Sequence, residues 1–216
     1  RDRDFETYYT DKCGFKTQTT EEYIRDKEFQ VIGVGVKVDD GKTVWVTSEI
    51  KEYLSKFDWA NCALLCHNTL FDGAILAWHY GCVAGMYLDT LSMARALHGV
   101  DAGGSLGALA ERYNIGQKGD EVVAAKGKRQ EDFTPEDLAR YGEYCKNDVE
   151  LTHKLMFTMA PNFPADEIKL IDMTLRMFIT PVLEVDDALL VDRLEELKRE
   201  KIELLADLKT ALHCED

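Results

Sequence analysis

The chain has 216 residues, with 26 Lys and Arg against 40 Asp and Glu, a formal net charge of −14. Hydrophobic residues make up 45% and charged residues 31%, which excludes wholesale disorder and allows one sizeable core plus an appendage. The acidity excludes a simple basic glove for duplex nucleic acid, but leaves open an acidic enzyme that bridges its carboxylates to phosphates through metal cations.

The opening Asp4-Phe5-Glu6-Thr7-Tyr8-Tyr9 reads as an extended segment. Phe29 to Val38 alternates apolar with small or polar residues, Asp39-Asp40-Gly41 supplies a turn, and Thr43 to Thr47 returns, a hairpin pattern. Ser48 to Phe57 is a short helical candidate. Cys62 to Cys66 is a continuous apolar run that suits a strand buried on both faces. Helical segments follow at Gly73 to Tyr80, at Leu88 to Leu97 with Asp89 as a cap, and at Ser105 to Tyr113. Asn114 to Asp132, rich in Gly, Lys and acids, reads as a loop. Thr134-Pro135-Glu136-Asp137 places an N-cap before a proline at the first helical position and opens a helix to about Met159.

After Ala160-Pro161-Asn162-Phe163-Pro164 the composition turns helical to the end, with Pro181 dividing two helices. This places a domain over 1–160 and a helical extension over 161–216. The last helix, from about Asp187, carries Leu189, Leu190, Leu194, Leu197, Leu204, Leu205, Leu208 and Leu212 on one broad stripe. No apolar run approaches a membrane span, and the start is unlike a signal peptide. The six cysteines (13, 62, 66, 82, 145 and 214) form no CxxC pair, so the expectation is a reduced, cytoplasmic protein without structural zinc.

Three stretches carry candidate chemistry. In Asp4-Phe5-Glu6-Thr7 the two acids lie two apart, which on a strand puts both on one face with Cα atoms roughly 6.6 Å apart. In His67-Asn68-Thr69-Leu70-Phe71-Asp72 a carboxylate follows the apolar strand, where α/β proteins place ligand sites, although a loop or capping Asp would look the same. His67 is read as a structural histidine. In Tyr144-Cys145-Lys146-Asn147-Asp148 the tyrosine and the last acid are four apart and share a helix face, and Asp is a poor helix-interior residue without a functional reason.

Together these stretches resemble the DEDD superfamily of 3′–5′ exonucleases in its tyrosine branch. DxE matches Asp4 and Glu6; NxxxD matches Asn68 and Asp72; YxxxD matches Tyr144 and Asp148. The histidine branch has a His five residues before the last acid, and Glu143 stands there. Leu88-Asp89-Thr90 and Ser105 to Leu109 also look like the family. Thr174 to Val185 with Asp186 to Leu190 is similar to the stretch leading from the proofreading domain into the polymerase domain of family A DNA polymerases, phage ones especially. The family usually has apolar residues before its first Asp, where this chain has Arg1-Asp2-Arg3.

The resemblance implies an α/β, RNase H-like mixed sheet of about five strands flanked by helices, with 161–216 as a helical connector toward a polymerase domain of the same parent chain. It implies hydrolysis of terminal phosphodiesters at a single-stranded DNA 3′ end with two divalent cations, Mg²⁺ or Mn²⁺. Asp4, Glu6, Asp72 and Asp148 would be the metal ligands, and Tyr144 would orient the attacking water. Thr7 and Asn68 would contact the terminal nucleotide. Lys118, Lys126, Lys128 and Arg129 would touch the incoming strand or form only a solvated loop. A catalytically silent scaffold and an RNA-directed exonuclease of the same superfamily are the alternatives. Compartment would be the cytoplasm, the host's for a phage protein.

Overall fold

The computed structural model describes residues 18–119 and 129–212. The chain divides into two compact units, Arg1–Thr180 and Pro181–Asp216. The first unit is mixed α/β. Its first described element is α1 (Thr20–Arg25), which the sequence analysis did not anticipate although it carries a full capping box: Thr19 accepts from the Glu22 N–H, and the Glu22 carboxylate accepts from the Thr19 N–H.

The hairpin forms between β1 (Val34–Val36) and β2 (Val44–Val46), antiparallel, with Gly35 opposite Trp45. Its turn closes through the Gly41 N–H to the Val38 carbonyl at 2.8 Å. After the short helix α2 (Ile50–Leu54), β3 (Ala63–Cys66) runs parallel to β4 (Met86–Asp89). The two are joined by α3 (Thr69–Tyr80), the crossover that a parallel pair requires. Register partners Cys66 and Asp89 both lie at the carboxyl ends of these strands.

Two expectations change here. Leu88 and Asp89, read as the start of a helix, belong instead to strand β4; α4 begins only at Thr90 and runs to His98, with Asp89 as its cap. Nor is β3 buried on both faces: Ala63 is exposed and Leu64 to Cys66 are half-buried, because among the described residues β3 has a strand partner on one side only. The four described strands form two separate pairs. The segment holding Asp4 and Glu6 lies outside the described residues.

Ser105 caps α5 (Leu106–Arg112) by accepting from the Ala108 N–H. Thr134 caps α6 (Pro135–Met159) by accepting from the Asp137 N–H, and Pro135 occupies the first helical position, as the sequence predicts. Thr134→Ala should therefore lower the unfolding free energy by about 1 kcal/mol in a urea titration. Leu151, Leu155 and Met159 of α6 form a core with Met93, Ala94, Leu106, Leu109 and Ala110 from α4 and α5. On its other side α6 receives the hairpin at short range. A Cβ on Gly142 would stand 2.5 Å from Trp45 Cδ1, and one on Gly35 would stand 3.1 Å from Val149 Cγ2. The Glu150 carboxylate fastens the same contact, accepting from Lys37 Nζ at 3.0 Å and from the Thr43 hydroxyl.

The compact unit extends 20 residues beyond the boundary expected at 160, through α7 (Ala165–Ile179). Leu175 and Ile179 pack into a core with Ile24, Ala74, Ala84 and Tyr87. Asp172 Oδ1 accepts from the Tyr87 N–H at 2.7 Å, and Arg176 donates to the Gly85 carbonyl at 2.6 Å. One helix thus satisfies backbone groups at β4 that no described strand pairs. Asp172→Ala should cost about 1–2 kcal/mol in chemical denaturation, since it strands the N–H of the buried Tyr87. The second unit contains α8 (Asp187–Leu212), whose described side chains are all exposed, the leucine stripe included.

Candidate functional site

The carboxyl ends of β3 and β4 frame the site, the position where parallel α/β units bind ligands. Asp89, 3% exposed, organises this edge. Its Oδ1 accepts from the N–H groups of Asn68, Thr69 and Leu91, and its Oδ2 accepts from the N–H and hydroxyl of Ser92. A residue read only as a helix cap therefore also clamps the loop that leads into α3. Asn68 sits in that loop with φ 75°, a left-handed conformation uncommon for a side-chain-bearing residue, and its side chain is exposed.

His67 bridges neighbouring elements through both ring nitrogens, Nδ1 to Thr90 Oγ1 and Nε2 to the Gly104 carbonyl, each at 2.9 Å. Burial pulls its imidazole below the ordinary value, and Lys118 adds to this, against the pull of Gly104, Asp89 and Asp148. The satisfied ring agrees with the structural reading of this histidine.

Asp72 lies in the first turn of α3, past the N-cap Asn68, and not in a loop before the helix. The residue keeps some solvent contact, yet protein crowds its carboxyl on most sides. Burial, and then the negative charge of Asp89, push its pKa up to about 7. The same burial, with Asp72 and Asp89, drives the Cys66 thiol well above its usual range and keeps it protonated near neutrality.

Tyr144 and Asp148 come from α6, one turn apart. Tyr144 is 7% exposed and stacks on Tyr141 at 6.1 Å between ring centroids, so this is not a solvated helix-surface pair. Lys118 reaches both residues: Nζ stands 2.6 Å from Asp148 Oδ2 and 5.3 Å from the Tyr144 ring centroid. Burial raises the Tyr144 phenol above its ordinary value although hydrogen bonding to Lys118 opposes the rise. A phenol so placed gives up its proton still less readily, so it is not available as a base near neutrality and is suited to orienting a water. The other oxygen of Asp148, Oδ1, is buried and has no hydrogen-bond partner among the described residues. Buried carboxylate oxygens are rarely left so, and an oxygen of this kind fits a cation ligand.

The two halves of the site face one electrostatic neighbourhood. His67 feels the charges of Asp89, Asp148 and Lys118 together, and α6 packs against β3. Asp4, Glu6, Thr7, Lys126 and Lys128 lie outside the described residues. Among the described residues no three His, Cys, Asp or Glu side chains cluster closely enough to hold a metal by themselves. Arg129 is occupied by Glu28 and Glu131, each at 3.3 Å. Sequence reasoning missed the clamp formed by Asp89 and the engagement of Lys118 with Asp148, contacts between residues 21 and 30 positions apart.

No described helix is long and apolar enough to cross a membrane. Comparison with protein-family models, with curated proteins and with solved structures returned no match.

Proposed function

We propose that this chain is a metal-dependent 3′–5′ exonuclease domain acting on the 3′ end of single-stranded DNA, in the proofreading position of a family A DNA polymerase. The observation that carries the reading is Asp148: a half-buried carboxylate whose Oδ1 is buried and has no partner among the described residues, one turn from a buried tyrosine and on the helix that packs against β3. That is a donor set poised for a divalent cation and a water, and it falls on the residues that the DEDD resemblance assigns.

In this reading Asp72 and Asp148, joined by Asp4 and Glu6, hold two Mg²⁺ or Mn²⁺ ions. When bound, such ions neutralise charge on the attacking and leaving oxygens and make water more acidic. The chain's own residues do the rest. The Tyr144 hydroxyl fixes the attacking water by a hydrogen bond, and the Tyr141 stack fixes the ring that carries it. Asp89 holds the Asn68–Thr69 backbone, setting the start of α3 and so the place of Asp72. Asn68, exposed at the mouth of the loop, and Thr7 contact the terminal nucleotide. The parallel β3–α3–β4 unit supports an RNase H-like arrangement of this domain. The second unit is the connector toward a polymerase domain.

The test is degradation of a 5′-labelled single strand with Mg²⁺ or Mn²⁺. A ladder of products shortened from the 3′ end, lost in EDTA and in Asp4→Ala and Asp148→Ala, is expected. Degradation of RNA but not DNA would select the RNA-directed alternative. A folded protein that binds the strand without cutting it would select the silent scaffold.

A further inference from the structure

Lys118 is placed where a loop lysine awaiting a nucleic-acid strand would not be. Its ammonium is 2.6 Å from Asp148 Oδ2, and both side chains are largely withdrawn from water, 30% and 25% exposed. The backbone that presents it is pinned to α6: Asn147 Nδ2 donates to the Gln117 carbonyl at 2.9 Å, and Lys154 Nζ reaches the Ile115 carbonyl at 3.5 Å. The side chain can therefore swing while its anchor stays in place.

We propose that Lys118 is the site's resident counter-cation: in the metal-free protein its ammonium neutralises Asp148, and a divalent ion must compete with it for that carboxylate. The inference rests on the metal-site reading of Asp148. An ammonium and a divalent ion sharing one carboxylate in a partly desolvated cleft repel each other strongly. Metal uptake therefore requires Lys118 to withdraw from Asp148, and a phosphate arriving with the substrate offers the displaced ammonium a new partner. The lysine thus lowers affinity for metal alone and couples metal loading to the presence of an anionic strand.

Mn²⁺ binding to the metal-free protein, followed calorimetrically without nucleic acid, tests this. Lys118→Met keeps the length of the side chain over Tyr144 and removes its charge. It should bind Mn²⁺ on the order of tenfold more tightly than wild type, while Lys118→Arg, which keeps the charge, should stay within about twofold. In EDTA, Lys118→Met should melt below wild type, because Asp148 is then left without its partner, and it should recover more on adding Mn²⁺. Unchanged or weaker Mn²⁺ binding by a folded Lys118→Met would overturn the proposal, as would equal tightening in Lys118→Arg. Asp148→Asn separates this failure from that of the underlying reading. If wild type and Asp148→Asn bind Mn²⁺ equally, or neither binds it, the metal site itself is refuted and the counter-cation role with it.

Discussion

In EDTA at pH 8, Asp72→Asn should melt above the wild-type protein. The carboxyl of Asp72 titrates near pH 7 in the folded chain because burial and the Asp89 charge both oppose its ionisation. An unfolded Asp titrates near 3.9. Between those values the folded protein holds a proton that the unfolded chain has released, so stability falls as pH rises from about 4 to about 7 and stays low above that. Full expression of the shift corresponds to about 4 kcal/mol; solvent relaxation around a partly exposed group brings the expectation to about 2–4 kcal/mol. Asn keeps the shape and cannot ionise. The variant's advantage should therefore be near zero at pH 4, grow through the window, and level off above pH 7. Divalent cation should reverse the order. Bound to the ionised site it stabilises wild type by mass action, about 2.7 kcal/mol at 100 times its Kd, and stabilises Asp72→Asn less. Mn²⁺ affinity should likewise weaken as pH drops below about 7, where the proton competes for Asp72. Melting curves across pH in EDTA and in Mn²⁺ check every part. A variant less stable than wild type at pH 8 in both media would mark Asp72 as an ordinary structural acid.

How far the sequence announces this architecture depends on how local each determinant is. The 25-residue helix α6 is legible from Thr134, Pro135 and a long apolar pattern, because caps and periodicity act within a few residues. The hairpin is legible from alternation and its Asp-Asp-Gly turn. Strand Met86–Asp89 is not: four residues give little periodicity, and the capping power of Asp89 drew the helix boundary too early. The boundary at 160 followed the prolines 161 and 164, which do break the helix. What keeps α7 in the first unit is non-local, the bonds of Asp172 and Arg176 to residues about 90 positions earlier. The site divides the same way. Tyr144 and Asp148 declare themselves as a one-turn pair. Lys118 sits 30 residues from its partner in a Gly-rich stretch, and the reach of Asp89 to Asn68 spans 21 residues, so neither contact leaves a local trace.

The largest loss of activity is expected when the two members of that one-turn pair are removed separately, and the manner of the two losses should differ. Tyr144→Phe preserves the ring that stacks on Tyr141 and lies beneath Lys118, and removes only the hydroxyl. If that hydroxyl holds the attacking water, turnover should fall by roughly 10²–10⁴-fold. Mn²⁺ affinity and melting temperature should barely move, since no ligand and little packing is lost. Asp148→Asn deletes a carboxylate that would hold a cation and that already binds Lys118. Turnover should fall at least as far, and Mn²⁺ affinity should fall with it. The pH profile supplies a third readout. Burial holds the Tyr144 phenol protonated well past neutrality, so it cannot be the group whose ionisation raises the rate between pH 6 and 8. At subsaturating metal that rise should follow Asp72, near 7, and should persist in Tyr144→Phe at a reduced height. If the rise instead vanishes in Tyr144→Phe, the tyrosine is the titrating base. If Mn²⁺ affinity falls equally in both variants, the division between a water-positioning phenol and a metal-holding carboxylate is wrong, and the two residues act as one ligand set.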